Sequence, residues 1–413
     1  MSKLNVQTLS GVEGLSQLRE EWQELFTAAS ATPFLSWEWI STWYKWFGQD
    51  KTPLLLTVRD NDRLIGLLPL GEEHQVTTRF GPRAHRLSVL GEPQGAPDYL
   101  DVISLPGRER ECATAIFDHL SRSGLFDLLE LDSFAADSPS LTSLMHLFGN
   151  RADFEYRLTP LYVCPRINLE HVNRGQEASE ILAGFRRAKY FRYCQRRLLS
   201  RGGFEHRMVK DPHDVGAAFE RFMHLHETRW SGDGGSAALG DEMQRAFHRD
   251  LVVQLATAGL IRFDELWVND LCWASLYTLS NGKTTYLYLT SYDPVWKEHS
   301  PGFVVIGLSI AEAVRQGHRF YDFLRGDEPY KYDWTNDARM TVAAQISNRS
   351  SAARLTLAQE HLKQTARALL PDRIKKEWRR IVAGSAKAED AEAAPATPSQ
   401  TISDAGPTAV ISQ

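Results

Sequence analysis

The stretch from Thr284 to Trp334 constrains the fold more than any other part of the chain. A strand pattern at Thr284–Ser291 is followed by Ser300-Pro301-Gly302, an apolar helix over Phe303–Gln316 and a second strand over Arg319–Leu324. Serine at an N-cap with proline in the first helical position is a strong helix start. Strand, helix and strand form one crossover unit, so the helix opening and the end of the second strand share a cleft. A helix N-terminus with free N–H groups is an anion site suited to a pyrophosphate. Gly302 lets backbone come close to a ligand. The plainer alternative is a well-capped helix with no ligand.

The second strand runs into Tyr321-Asp322-Phe323-Leu324-Arg325-Gly326-Asp327-Glu328-Pro329-Tyr330-Lys331-Tyr332-Asp333-Trp334. Six charged groups fall within twelve residues there: Asp322, Arg325, Asp327, Glu328, Lys331 and Asp333. Aromatic rings are interleaved among them. Acids and bases in an apolar, aromatic frame are what a site needs to shift pKa values for proton transfer. A salt-bridged strand end is the alternative.

The rest of the chain repeats helix and strand patterns twice. Leu15, Leu18, Trp22, Leu25 and Phe26 recur at helical spacing, and Ser36 caps a helix through Trp39, Trp43 and Phe47 to Gly48. Strands are predicted at Leu54–Val58, Leu64–Leu70, Arg86–Leu90, Tyr99–Ser104 and Asp127–Asp132, with helices at Arg108–Ser123 and Ser138–Phe148. In the second half the predicted helices are Ala183–Arg201, His213–Arg229 and Asp241–Ala258. Strands follow at Phe204–Val209, Leu260–Val268, Leu271–Ser280 and Thr341–Asn348, with hairpin turns at Asn269-Asp270 and Asn281-Gly282. A basic helix spans Ala352–Val382, and the Ala-, Pro-, Ser- and Thr-rich residues from Ser385 onward are expected to be disordered.

Composition narrows the class. At 413 residues and 43% hydrophobic content, two or three soluble domains are expected. A net charge of −5 argues against a dedicated nucleic-acid binder. Cys112, Cys164, Cys194 and Cys272 have no metal spacing and read as reduced residues of a cytoplasmic protein. Met1–Glu21 lacks the pattern of a signal peptide, and no stretch is apolar enough to span a membrane.

Lys189, Arg192 and Arg196 share one helix face, flanked by Arg186 and Arg197. That face is either a positive wall for a phosphate-bearing or acidic substrate or a solvated surface. His224 and His226 lie two apart on a helix and point in different directions, so no metal is expected. Ser231-Gly232-Asp233-Gly234-Gly235 is a lid or a linker. Lys375, Lys376, Arg379 and Arg380 beside Trp378 offer peripheral membrane contact within residues 351–384, or a solvated packing helix. The motifs of the common hydrolases, NTPases and dinucleotide binders are missing.

Ser300-Pro301-Gly302, the helix, and Phe323-Leu324-Arg325-Gly326-Asp327-Glu328-Pro329-Tyr330-Lys331 with Trp334 resemble the GNAT-type acyltransferases. The resemblance is strongest to the branch labelled cellulose biosynthesis, or CelD/BcsL-like. That branch is similar to the FemAB peptidyltransferases in having two GNAT-like domains. Phe34-Leu35-Ser36-Trp37-Glu38-Trp39, Asp98-Tyr99-Leu100-Asp101 and Arg186–Arg201 resemble its other segments. Of the general GNAT pyrophosphate pattern only Gly302 is kept.

The resemblance implies an α/β fold of tandem GNAT-like domains. These are an N-terminal non-binding copy over 1–165 and an acyl-CoA-binding copy over 166–350. A helical extension over 351–384 and a tail over 385–413 follow. It implies an acyltransferase moving an acyl group, acetyl in the first place, from acyl-CoA to an amine or hydroxyl of a sugar, polysaccharide precursor or other small acceptor. The donor would meet Thr290, Ser291, Ser300, Gly302 and Phe303. Asp327, Glu328 or Asp322 would act as base, and Tyr330 or Tyr288 would reprotonate the thiolate. Arg325, Lys331, Trp334, Lys189 and Arg192 would hold substrate. The alternatives are an aminoacyl-tRNA-dependent transferase and a non-catalytic accessory protein of exopolysaccharide biosynthesis.

Overall fold

The computed structural model describes residues 4–76, 83–230 and 239–358. Two compact units divide the chain, Met1–Arg354 and Leu355–Gln413, and the first holds every element named below. The lid or linker at 231–235, most of the basic C-terminal helix and the tail lie outside the described residues.

The first half begins with β1 (Asn5–Ser10), α1 (Gly11–Gln17), α2 (Arg19–Ala29) and α3 (Trp37–Phe47). Next come β2 (Thr52–Asp60), β3 (Arg63–Val76), β4 (Arg83–Val89), β5 (Ile103–Ser104) and α4 (Glu109–Ser123). It closes with β6 (Leu128–Ala135), α5 (Pro139–Gly149) and the long β7 (Phe154–Asn168). The second half contains α6 (Ala178–Ile181), α7 (Ala188–Leu199), β8 (Glu205–Val209), α8 (Val215–Trp230) and α9 (Glu242–Thr257). After these come β9 (Ile261–Val268), β10 (Leu271–Ser280), β11 (Thr284–Tyr292), α10 (Pro301–Arg315), β12 (Phe320–Asp322) and β13 (Ala338–Asn348).

The strands join one mixed sheet in the order β1-β2-β3-β4-β6-β13-β7-β12-β11-β10-β9-β8, with β5 beside β3. β7 couples the halves: its first part pairs with β13, and Arg166–Asn168 pair antiparallel with β12. The last strand of the chain therefore sits inside the first half's sheet, between β6 and β7.

Local chemistry explains most elements. The Ser36 hydroxyl accepts the Trp39 N–H at 3.1 Å, and α3 buries Trp39, Ile40 and Trp43. The Asp241 carboxylate caps α9 in the same way through the Gln244 N–H. One core fills the first half and reaches α8, α9 and one face of β9–β11. A second lies on the other face, under α7 and α10. Most sides of α10 are buried, which suits its continuous run Val304-Val305-Ile306-Gly307-Leu308.

Where elements differ from expectation, the backbone gives the reason. The strand expected at Tyr99–Ser104 shrinks to Ile103–Ser104 because Tyr99 is left-handed, φ 59°. The strand expected at Arg319–Leu324 stops at Asp322 because Leu324 has φ 55°. The basic helix opens at Ala188 because Phe185 is extended. β1 and β7 are not foreseen from the sequence pattern.

Candidate active site

β11 and β12 pair in parallel over three positions only, Thr284↔Phe320 to Tyr286↔Asp322. Beyond them β11 continues to Tyr292 while β12 has ended, so the strands part. A bulge lies just past the last pair: Tyr277 opposes Leu289 and Thr278 opposes Leu287, which leaves Tyr288 extra. An extra residue reverses the side-chain alternation. Tyr286 accordingly faces the first core, whereas Thr290 and Tyr292 line a cleft beside α10. This cleft, of about 300 Å³, is walled by Arg187, Tyr190, Arg229, Thr290, Tyr292, Ser300, Gly302, Phe303, Ile306, Tyr330, Asp333 and Trp334.

The α10 opening differs from its expected form. Ser300 is left-handed, φ 53° and ψ 47°, and makes no side-chain cap. Its hydroxyl instead meets the Tyr190 hydroxyl at 2.7 Å. Val304 N–H donates to Ser300 O at 3.1 Å, so the N–H groups of Gly302 and Phe303 precede the helical ladder. A Cβ on Gly302 would stand 3.3 Å from the Tyr292 ring, so glycine keeps the opening clear. Two guanidinium groups flank it. Arg187 bonds Asp333 at 3.0 Å and lies 4.5 Å over Tyr190. Arg229 donates to the Thr290 carbonyl at 3.1 Å and lies 4.7 Å over Tyr292. Phe303 and Trp334 stack at 4.5 Å on the apolar side. Helix N–H groups, two cations and an aromatic wall suit a ligand with phosphates and an apolar arm.

Of the residues expected to bind donor or substrate, Thr290, Ser300, Gly302, Phe303 and Trp334 meet at this cleft, together with Tyr330. Burial pushes the Tyr330 phenol well above its usual range. Ser291 is fully buried and lines no part of it. Lys189 and Arg192 are exposed on α7; the cation that α7's opening brings to the cleft is Arg187.

The charged motif is largely occupied with holding its own turn. The enclosed Lys331 ammonium donates to the carbonyls of Leu324, Arg325 and Gly326 at 3.2, 2.8 and 3.2 Å and pairs with Glu328 at 2.9 Å. Asp327 is exposed and accepts the Tyr332 hydroxyl. Asp322 is buried, accepting Tyr99 OH at 3.0 Å and Leu324 N–H at 2.8 Å. Its burial pushes the carboxyl up to about 7.

Arg325 reaches the first half. Its Nε and N–H hold the buried Asp98 carboxylate at 3.0 and 2.8 Å, and its Nη2 donates to the Pro97 carbonyl and the Ser133 hydroxyl. The 91–99 loop is thereby pinned over the splay, and Tyr288 OH donates to Gly95 O at 2.6 Å. That loop brings a carboxylate the sequence reading does not single out. Glu92 accepts the Ser133 hydroxyl and lies 3.9 Å from Arg325 Nη2. Burial pushes it up to about 7, with Ser133 and Arg325 opposing the shift and Asp132 and Asp98 adding to it. The available signal was Gly91-Glu92-Pro93-Gln94-Gly95-Ala96-Pro97-Asp98, a turn-rich run bearing two acids.

The first half has its own parallel pair, β4 with β6. Its opening is filled by the chain itself: Leu100 bridges Phe134 and donates to Ser133 O at 3.0 Å.

Residues 185–332 match the family model described as an acetyltransferase (GNAT) domain. The second half carries a GNAT domain. The matched span contains β11, α10, β12 and the cleft between them. No curated protein matches the chain. Among solved structures, FemX matches at a TM-score of 0.53 with 10% identity, over 79% of this chain and 95% of its own. The C-terminal domain of a putative lysylphosphatidylglycerol synthetase from Agrobacterium fabrum matches at 0.50 with 10% identity, over 83% and 95%. A tandem GNAT protein from the clavulanic acid biosynthesis pathway matches at 0.42 with 12% identity, over 84% and 100%. At such identities the first two establish likeness of fold. The mixed α/β fold expected from the GNAT resemblance is the one found.

Among the described residues no helix is long and apolar enough to cross a membrane, and no group of three His, Cys, Asp or Glu residues is placed to hold a metal.

Proposed function

We propose that this protein is an acyl-CoA-dependent acyltransferase, of the branch labelled cellulose biosynthesis, that acts in the cytoplasm. It moves an acetyl or other acyl group to an amine or hydroxyl of a sugar, a polysaccharide precursor or another small acceptor. The observation that carries the reading is the cleft at the β11/β12 splay, where the α10 N-terminus, Arg187 and Arg229 face one opening. Donor phosphates would lie on the N–H groups of Gly302 and Phe303, with the two guanidinium groups beside them. The apolar arm would run along β11 past Thr290, whose strand edge is unpaired beyond Tyr286. N–H groups at the Tyr288 bulge would polarise the thioester carbonyl. Tyr330, which lines the cleft, would return a proton to the departing thiolate. The four cysteines are unpaired, which suits a reducing compartment.

A thermal-shift series with CoA thioesters of increasing acyl length tests this. A ligand at a hundred times its Kd adds about 2.7 kcal/mol, a readily measured rise in Tm. Arg229→Ala should lose most of that rise. No rise with any thioester would refute the reading.

A second reading, aminoacyl transfer from a charged tRNA, draws on the exposed Lys189, Arg192 and Arg196 of α7. It requires tRNA binding that weakens steeply with salt.

A further inference from the structure

Direct transfer to an acceptor needs a group that takes the acceptor's proton, and the motif's own carboxylates are badly placed for it. Asp327 and Glu328 are exposed and bonded to Tyr332 and Lys331. Asp322 is held by Tyr99 and the Leu324 N–H and borders a different cavity, lined by Arg166, Arg319 and Arg339, not the donor cleft. We propose that Glu92, supplied by the first half, is the general base for transfer at the second half's cleft. The inference rests on the acyltransferase reading above.

Placement is the first support. The 91–99 loop is tied to both strands that form the splay, through Gly95 to the bulged Tyr288 of β11 and through Asp98 to Arg325 just beyond β12. The loop that bears Glu92 is thus fixed beside the splay at which the donor cleft opens, with Glu92 next to Arg325. The state of the carboxylate is the second. Its side chain is 14% exposed, and Oε1 takes the Ser133 hydroxyl. Among the described residues Oε2 accepts no hydrogen bond, so one oxygen is left to meet an acceptor. Arg325, the nearest cation, already serves Asp98, Pro97 and Ser133.

Backbone strain is the third. Ala96, Tyr99, Ser133 and Leu324 all hold left-handed φ values, of 43°, 59°, 58° and 55°, around this one junction. Such conformations cost on the order of 1 kcal/mol or more each and concentrate where side chains must be aimed. The left-handed turn at Ser133 places its hydroxyl on Glu92. The charged and polar groups that face Glu92 are Ser133 and Asp132 of β6, Arg325 beyond β12, and Asp98 of its own loop. Burial outweighs the Arg325 attraction and sets the carboxyl at about 7, close to the optimum for a base at neutral pH.

In the step itself the acceptor nitrogen or oxygen forms a bond to the thioester carbonyl carbon and gives its proton to Glu92. The C–S bond breaks with its electron pair on sulfur. The thiolate takes a proton, and Glu92 returns its own to solvent. One acyl group and one proton have then exchanged places between acceptor and CoA.

The test is thiol release from acetyl-CoA, with water and then glucosamine as acceptor, in wild type, Glu92→Gln and Ser133→Ala. Glutamine keeps an oxygen for the Ser133 hydroxyl, so the fold should survive. We expect E92Q to lower kcat about a hundredfold or more. The Tm rise produced by acetyl-CoA should be unchanged. Wild-type kcat/KM should fall below about pH 7, a limb that E92Q abolishes. S133A should move the limb to higher pH, because the hydroxyl favours the ionised carboxylate. A wild-type rate and an unaltered limb in E92Q would overturn the assignment. If wild type neither releases thiol nor gains stability with acetyl-CoA, the acyltransferase reading fails first and this falls with it.

Discussion

Asp322 shows how one residue can belong to the chemical motif and still serve the fold. It ends the last paired position of β12 and is held by Tyr99 OH and Leu324 N–H. Its native carboxyl titrates near 7, against 3.8 as the ordinary value. Between those pH values the native state holds a proton that the unfolded chain has released, so this group's contribution to stability falls as pH rises. The loss is complete above about pH 7 and is on the order of a few kcal/mol. Asp322→Asn removes the titration while keeping an acceptor for Leu324. Urea midpoints at pH 5 and pH 8 should therefore differ less in the variant than in wild type. An unchanged difference would show that Asp322 does not set it. The motif's residue types were visible in sequence, but each side chain's direction was not. Leu324 turns left-handed at the end of the strand, and that turn sends Arg325 to Asp98 and lets Lys331 close on three carbonyls.

At the level of elements, α10 and α7 show packing overriding propensity. Alanine is favoured over glycine in a helix interior by about 1 kcal/mol. At Gly307, however, a Cβ would stand 2.4 Å from the Phe191 ring and 3.0 Å from Trp334. Phe191 is fully buried. Overpacking of this kind costs about 1–3 kcal/mol and outweighs the propensity gain. Gly307→Ala should lower the urea midpoint at unchanged m, with a net loss of up to about 2 kcal/mol. A variant as stable as wild type would mean that α7 can shift away from α10. The same pair shows what periodicity conveys: the apolar stripe Ala188, Phe191, Cys194 and Leu198 was legible and is the buried face. Which cation of α7 reaches the cleft was not, because Arg187 precedes the helix proper.

For the whole molecule the decisive feature is β13. It comes after every element of the second half, yet it pairs with β6 on one side and β7 on the other. A fragment of residues 1–165 would leave those two strands with a missing neighbour and expose the core they cover. We expect it to show no cooperative urea transition by circular dichroism. Appending residues 338–348 through a flexible linker should restore one. A fragment that unfolds cooperatively without β13 would refute this account. The arrangement also bears on the site, since β7 connects the first half's sheet to β12 and so fixes the 91–99 loop relative to the splay.

By itself the sequence determined most of the element types, the crossover around α10 and the start of that helix at Pro301. All of these follow from periodicity, capping and turn chemistry acting over a few residues. Only the tertiary structure decided that β13 completes the first half, that the Tyr288 bulge turns Thr290 toward α10, and that Asp322 and Arg325 hold the halves together and bring the Glu92 loop to the splay. These depend on contacts between residues as much as 228 positions apart, as from Arg325 to Pro97, and local pattern carries no record of such distances.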